Sequence, residues 1–439
     1  MVSLSLVLVL LAAYSPQSAG AEQSKAKTTL KVVVWEKEGF NQLYGDGYRK
    51  LNPNVELQVV SYKENMSVYN NGLSKFIAKE SPDVVVIDAH TYEQLAKEKK
   101  FVDLEPLIER DSYATDSIYP GLLNALKEKG SSHLYGLSPT FNAPAILYNA
   151  DLFKKYGVEL PKDEMTWEEI IKLAERFPTK GDKATRIWGL DYRLSSLHSN
   201  VVKDISQAHG LSALDASASK ANVNTDSWKR VYQSAIDVAN SDAIYNGSDP
   251  IRAKNFYESD PFIMGRAAMK VGERFNLQHL KEAKVAVKNY KSFTLGIAAG
   301  PADPKNRAVT QNVELREIFT IPANSANIDA AWDFLKYING DDFAKSKSSV
   351  LKDRLLSRMD YGTKFDGINL DPFYTLKPTI NTADIQLQRM PSNVYSKYVN
   401  IVNKELKQVA TKKKSLNQTA KSIQTQLQSL VSKAPKAQK

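Results

Sequence analysis

The stretches Leu30-Lys31-Val32-Val33-Val34-Trp35 and Val84-Val85-Val86-Ile87 are nearly continuous runs of apolar, mostly β-branched residues. A strand with one wet face alternates polar and apolar residues; a run like these belongs to a strand buried on both faces. Between them, Val55, Leu57 and Val59 alternate as in a further strand, and residues 68–78 read as a helix that Ser81-Pro82-Asp83 breaks. Strand, helix and buried strand in succession predict a parallel sheet with helices on both faces.

The same grammar returns in the middle of the chain. Ala145-Ile146-Leu147-Tyr148 reads as a strand leading into a short helix, Ala150 to Tyr156. Thr166-Trp167-Glu168-Glu169 has the pattern of a capping box, with Ile170, Ile171, Leu173, Ala174 and Phe177 as the apolar stripe behind it. Residues 187–190, 267–271 and 294–298 are three more strand candidates, residues 330–338 form an amphipathic helix, and residues 380–430 are helix-rich. At 439 residues with 42% hydrophobic content, the chain exceeds one ordinary core. Two α/β lobes are the expectation.

Residues 2–13 are apolar, uncharged and too short to span a bilayer; Ala19-Gly20-Ala21 follows as a small-x-small cleavage pattern. Residues 1–21 therefore read as a secretion signal. Leu11-Ala12-Ala13-Tyr14 has the form of a lipoprotein signal with Tyr14 in the place of the cysteine that carries the lipid. Without that thiol no thioether forms, so no lipid anchor is expected. There is no cysteine anywhere, which excludes disulfides, thiolate metal sites and thiol nucleophiles.

The formal charge is +10, and residues 404–439 hold nine lysines against Glu405 alone. That tail has no aromatic residue, whereas binding to single-stranded nucleic acid pairs basic grooves with stacking rings. A solvated helix is the plain reading, and weak attraction to an anionic surface the sharper one. No phosphate-cradling glycine loop, zinc-binding H-E-x-x-H or G-x-S-x-G elbow occurs, and the five histidines lack metal-ligand spacing. Carboxylate pairs such as Glu36 and Glu38 are too common to indicate hydrolysis on their own.

Four blocks, in order, resemble the extracellular solute-binding proteins of bacterial ABC importers, in the carbohydrate-binding family that includes maltose-binding protein. They are Pro82–Asp88; Tyr135–Pro139 with Ala145–Phe153 running on through Pro161 to Ile170; Gly265–Met269 with Val271–Asn276; and Ile321–Ser325 with Ala330–Leu335. The resemblance covers about residues 28–430. It implies a two-lobed periplasmic-binding-protein-like α/β fold of type II, with the ligand cleft between the lobes and about three hinge crossings. The blocks place those crossings near 141–145, 314–318 and 352–358. One lobe would comprise 28–141 plus 318–353, and the other 146–314 plus 358–439.

In such folds ligands sit beyond the carboxyl ends of strands. That rule and the block positions select Trp35 and Glu36, Tyr62 and Glu64, and Asp88 and His90 on the first lobe. They select Asn142 and Arg316 at the crossings. On the second lobe they select Tyr192, Glu273, Arg274, Phe275, Tyr395 and Tyr398. Each has a competing structural reading: Trp35 as a core aromatic, Tyr62 and Glu64 as solvated loop, Asp88 as a helix N-cap, Arg316 as the partner of Glu314 or Glu317. Relatives carry Trp where this chain has Phe275. Aromatic platforms mixed with Asp, Glu, Asn and Arg suit a neutral polyhydroxylated ligand. An anionic sugar held by Arg274 or Arg316 is the alternative.

The resemblance implies a monomeric, extracellular, non-enzymatic binding protein, without cofactor or metal, that passes a carbohydrate to ABC permease subunits. A surface sensor or adhesin using the same cleft, and a secreted glycan hydrolase, are the competing classes.

Overall fold

The computed structural model describes residues 27–434, except 65–71, 182–185, 193–196, 216, 248–252, 381–386, 389 and 391–392. The signal sequence and Tyr14 lie outside the described residues, as do the first residues of the helix expected at 68–78, which is described from Leu73 to Glu80.

Two five-stranded sheets organise the chain. In the first, the order is Val55–Ser61, Thr28–Val34, Val84–Ile87, Ile318–Thr320 and Gly136–Leu137. The first three strands are parallel, and Ile318–Thr320 runs antiparallel between Val84–Ile87 and Gly136–Leu137. All of Val84–Ile87 and the residues Val32, Val33 and Val34 are buried, as continuous apolar runs require. Helix Ile328–Ile338 closes this sheet through Ala331, Phe334 and Leu335, and Trp332 is anchored by its indole N–H to Asp111 Oδ2 at 3.0 Å.

The second sheet has the order Leu295–Ala298, Ala145–Asn149, Ala267–Gly272, Trp188–Asp191 and Ile244–Tyr245. The last three strands are mutually parallel, and Ala145–Asn149 is antiparallel to both of its neighbours. The capping box forms: Glu169 N–H donates to Thr166 Oγ1 and Thr166 N–H to Glu169 Oε2. Helix Ala150–Tyr156 is capped by Asn149 and stops at Gly157, whose φ of 64° suits a residue without Cβ. Helices Trp167–Ala174, Leu197–Ala208, Asp226–Asn240, Val394–Ala410 and Leu416–Lys433 share the core on one face. Lys397, Lys404 and Lys407 are exposed on Val394–Ala410, whose opposite side buries Tyr398, Val402 and Leu406. Of the tail's lysines, Lys404 and Lys407 lie on the solvated face of this helix, and residues 435–439 lie outside the described residues.

The other face of the second sheet, covered by helix Arg274–Ala286, shares one continuous apolar core with the first sheet. The chain passes between the sheets in segments that bond to one another. Asn142 and Glu314 exchange both backbone bonds (3.1 and 2.9 Å), and Leu355–Leu356 pairs with Thr140–Phe141. Ser138 Oγ donates to Thr140 O and Glu317 O, both at 2.7 Å, and Ser357 Oγ donates to Ser138 O.

Residues 358–380, expected with the second lobe, straddle both. Tyr119 Oη donates to Leu376 O and Met359 N–H to Ser117 O, on the first sheet's side. Val309–Thr310 pairs with Lys377–Pro378 on the other. Phe365, Phe373 and Tyr374 fill the apolar space common to the two sheets. The reason is where its rings go: Phe365, Phe373 and Tyr374 are buried in the core common to both sheets, so the segment fills the junction rather than coating one lobe.

Arg358 fastens this segment. It is buried and donates to Asn339 O (2.6 Å), Ser117 Oγ (2.5 Å), Ala114 O (2.9 Å) and Tyr113 Oη (3.2 Å), and it pairs with Asp341 at 2.9 Å. Arg358→Met strands several of these buried acceptors. We expect a loss of about 3–5 kcal/mol in equilibrium unfolding by urea; Lys397→Met, on a wet face, should change stability by under about 0.5 kcal/mol.

Candidate ligand-binding cleft

The carboxyl ends of parallel strands from both sheets converge on the crossing at residues 314–316. From the first sheet, Ala89 N–H, two residues beyond strand Val84–Ile87, donates to Leu315 O at 3.3 Å. From the second, Glu273 follows strand Ala267–Gly272 and lies in the electrostatic range of Glu314 and Arg316. The crossing thus lies between the two sets of strand ends, the place where this architecture is expected to hold its cleft.

The floor is charged and internally paired. Arg316 bonds Glu314 at 2.8 Å, and Arg354 bonds Glu317 at 2.5 Å and Asp353 at 3.3 Å. Tyr44 Oη donates to Glu317 Oε2 at 2.8 Å, and burial, with Glu317 beside it, pushes that phenol well above its usual range. Burial pushes the Glu273 carboxyl up to about 6, with the negative charge of Glu314 adding to the effect. Arg316, Lys203 and Asp204 also face Glu273. Beneath the second wall, Lys270 is held between Asp191 at 2.6 Å and Asp260 at 3.0 Å, all three buried or nearly so.

Each wall presents one exposed aromatic ring beside a strand end. Trp35 follows strand Thr28–Val34 and is 37% exposed; Phe275, in the first turn of helix Arg274–Ala286, is also 37% exposed. Trp35 is therefore not a core aromatic. Its ring is braced edge-on by Tyr62, at 5.4 Å and 76°.

Several selected residues stand elsewhere or carry other duties. Tyr62 is only 5% exposed and packs in the first core, so it positions Trp35 rather than meeting a ligand. Both Glu36 oxygens accept backbone N–H groups, from Glu38 (2.8 Å) and Gly39 (2.7 Å), which cap helix Lys37–Phe40 and hold the carboxyl below its usual range. Glu64 is exposed. Asp88 caps helix Ala89–Lys97 by accepting from Thr91 N–H at 2.9 Å, and both it and His90 in the first turn are half-buried at the floor's edge. Asn142 is half-buried in the crossing itself.

On the second lobe, Arg274 is 4% exposed, with its guanidinium 4.2 Å from the centre of the Phe365 ring. It packs on the junction, and its Nη1 is buried without a hydrogen-bond partner among the described residues. Tyr192 is buried, edge-on to Trp167 at 5.4 Å, and donates to Asp204 Oδ2 at 2.5 Å. Tyr398 is buried against the helical core and Tyr395 packs half-buried beside it, so neither reaches the strand ends. The choice by sequence missed Tyr44, Glu317, Asp353 and Arg354. The charged residues of the crossings at 314–318 and 352–358 were the available signal for the last three.

One group on the first lobe has metal-ligating types in reach of one another: Asp103, Glu105 and His133. His133 Nδ1 bonds Asp103 Oδ2 at 2.7 Å, and Glu105 pairs with Lys127 at 2.7 Å. It lies in a surface loop and helix end remote from the crossings in sequence.

The raised Glu273 pKa makes a signed prediction. Below about pH 4.5 the carboxyl is protonated both folded and unfolded, and carries no penalty. As the pH rises through about 6, the folded state must bury a charge that the unfolded chain solvates, so stability is lost. A shift of this size corresponds to about 2 kcal/mol. Relative to wild type, Glu273→Gln should gain up to that amount between pH 4.5 and 7 in paired thermal unfolding scans, and nothing at pH 4.5.

Comparison with known proteins agrees with this architecture. A family model described as bacterial extracellular solute-binding protein matches residues 30–345. The chain is 25% identical over 206 residues to the sn-glycerol-3-phosphate-binding periplasmic protein of Brucella abortus, covering 45% of this chain and 47% of that one. It is 26% identical over 180 residues to an arabinooligosaccharide-binding protein of Bacillus subtilis, covering 39% of this chain and 40% of that one. The match thus spans less than half the length of these curated relatives. A sugar transporter structure from Rhizobium etli in an open conformation superposes with a TM-score of 0.65 at 20% identity, covering 91% of this chain and 99% of that one. An extracellular solute-binding protein of Alicyclobacillus acidocaldarius gives 0.66 at 16%, covering 93% and 100%. Two α/β lobes around a hinge, and a family model that covers most of the chain, make this chain a member of the bacterial extracellular solute-binding proteins.

Proposed function

We propose that the chain captures a neutral sugar, of one or more units, between its lobes and delivers it unchanged to the membrane subunits of an ABC importer. The observation that carries this reading is the charge balance of the cleft floor. The arginines there, Arg316 and Arg354, are already paired with Glu314, Glu317 and Asp353. A phosphate or carboxylate ligand would have to compete with those carboxylates and would meet Glu273 besides. A neutral polyol needs no such displacement, because hydroxyls both donate to carboxylates and accept from guanidinium groups.

The exposed rings support the same conclusion. Trp35 and Phe275 are partly exposed beyond strand ends of opposite sheets, and the C–H face of a sugar ring is the apolar surface such rings suit. Between the ligands named for the two curated relatives, the floor favours the oligosaccharide over the glycerol phosphate. Lobe closure over the ligand would create the surface that the permease reads. No carboxylate pair on the floor is arranged as an acid with a free nucleophile, since Glu314 and Glu317 are each held by an arginine; the reading is capture without turnover.

Among the described residues no helix is long and apolar enough to cross a membrane.

The test is thermal unfolding of the chain from Glu22 against neutral mono- and oligosaccharides, uronates and glycerol 3-phosphate. At 100 times its dissociation constant a ligand adds about 2.7 kcal/mol, a shift of a few degrees. A shift with a neutral sugar, recovered unchanged by chromatography, is expected; a shift with glycerol 3-phosphate alone overturns the neutral-ligand reading. Trp35→Ala should weaken sugar binding at least tenfold, about 1.4 kcal/mol, with the fold retained.

A further inference from the structure

Metal-ligating side chains converge at one place away from the crossings. Asp103 and Glu105 stand on either side of Leu104, and His133 comes from the turn that precedes Leu134. Leu104 and Leu134 are buried, and Leu104 N–H donates to Leu134 O at 2.8 Å. Next to them, Val102 N–H donates to Ile321 O at 2.8 Å and Tyr135 N–H to Tyr92 Oη at 3.1 Å. The two backbone segments are therefore fastened to each other and to the first core. Their three polar side chains stay in reach of water: His133 is exposed, and Asp103 and Glu105 are half-buried.

One ligand atom from each of the three lies within 4.8 Å of the other two. Asp103 is already oriented. Its Oδ1 accepts from Glu105 N–H at 3.1 Å, and its Oδ2 meets His133 Nδ1 at 2.7 Å. The His133 ring rests beside Tyr135, with 5.7 Å between ring centres. A tetrahedral zinc with bonds of about 2.1 Å holds its ligand atoms about 3.4 Å apart, so small side-chain rotations complete the set. Charge favours a cation as well. Two carboxylates meet one basic partner, Lys127, which pairs with Glu105 at 2.7 Å in an exposed contact that a divalent ion displaces at little cost.

We propose that Asp103, Glu105 and His133 bind a zinc-class divalent cation, which clips the turn at residues 130–133 to the start of helix Glu105–Arg110. An imidazole nitrogen with two carboxylate oxygens is a donor set for zinc and its borderline neighbours, whereas calcium and magnesium take more ligands, all of them oxygen. The imidazole binds through Nδ1 in its neutral form, with its proton on Nε2. Three protein ligands leave a fourth position to water. The set draws on separate segments of the chain, which histidine spacing alone does not reveal, and it is independent of what the cleft holds.

Isothermal titration of the full chain, carrying no histidine tag, with zinc chloride tests this, with calcium and magnesium chloride titrated alongside. One zinc per chain is expected, bound in the low micromolar range, with no binding of calcium or magnesium at the same concentrations. His133→Ala and Asp103→Asn should each weaken zinc binding by about tenfold or more, since even the hydrogen-bond partners of metal ligands are worth that much. Lys127→Met removes the competing cation and no ligand, so it should tighten binding about threefold, a direction that a purely structural role does not produce. Zinc should raise the thermal midpoint of wild type and leave that of His133→Ala unchanged. Zinc binding that survives intact in both ligand variants, or no zinc binding to wild type, overturns the site; calcium binding in place of zinc overturns the choice of metal. Metal-free midpoints of the variants, expected within about two degrees of wild type, separate loss of a ligand from loss of the fold.

Discussion

The backbone pairing of the crossing segments is the constraint on which the molecule depends. Asn142 with Glu314, and Thr140–Phe141 with Leu355–Leu356, form short ladders where the chain passes between sheets. Paired crossings restrict relative motion of the two sheets to bending about a common line, and they bring the carboxyl ends of both sets of parallel strands to the same place. Because those strands are buried on both faces, their ends are where the chain can offer unsatisfied chemistry. The cleft is a consequence of the sheets and the crossings together.

The charges of the floor lie on the hinge itself. Glu314 and Arg316 are in one crossing, Glu317 is at its edge, and Asp353 and Arg354 are in another. Pairing Arg354 with Glu317 and Tyr44 joins a crossing to the first lobe, while Glu273 brings the second lobe within reach of Glu314. A hinge motion must therefore rearrange a paired network in which carboxylates outnumber guanidinium groups. That network serves ligands that share its hydrogen bonds better than ligands that impose a net charge. Trp35 and Phe275, each shortly beyond a strand end of its own sheet, are both partly exposed.

Much of this was legible in the sequence because its signals are local. Continuous β-branched runs marked Thr28–Val34 and Val84–Ile87, and Thr166 with Glu169 marked a helix start. That Trp35 and Phe275 follow strand ends could be read from position alone, and both rings are partly exposed. What failed was side-chain direction. Tyr62 and Tyr192 also follow strands, but one braces Trp35 from the core and the other bonds Asp204. Arg274 sits between two residues that face the cleft region, and the first turn of its helix rotates it under Phe365. Tyr395 and Tyr398 lie on a helix whose partners come from distant sequence. Tyr44 was invisible for the same reason: its bond to Glu317 closes a separation of 273 residues.

A neutral sugar bound at the hinge, as proposed, would close the lobes. Small-angle X-ray scattering of the chain with and without a saturating neutral sugar, identified by the thermal shift, measures this directly. The account predicts a smaller radius of gyration and a shorter maximum dimension in the sugar-bound state, and no change with glycerol 3-phosphate. A scattering curve that the bound sugar leaves unaltered would contradict closure, and compaction by the phosphate ester instead would contradict the charge argument.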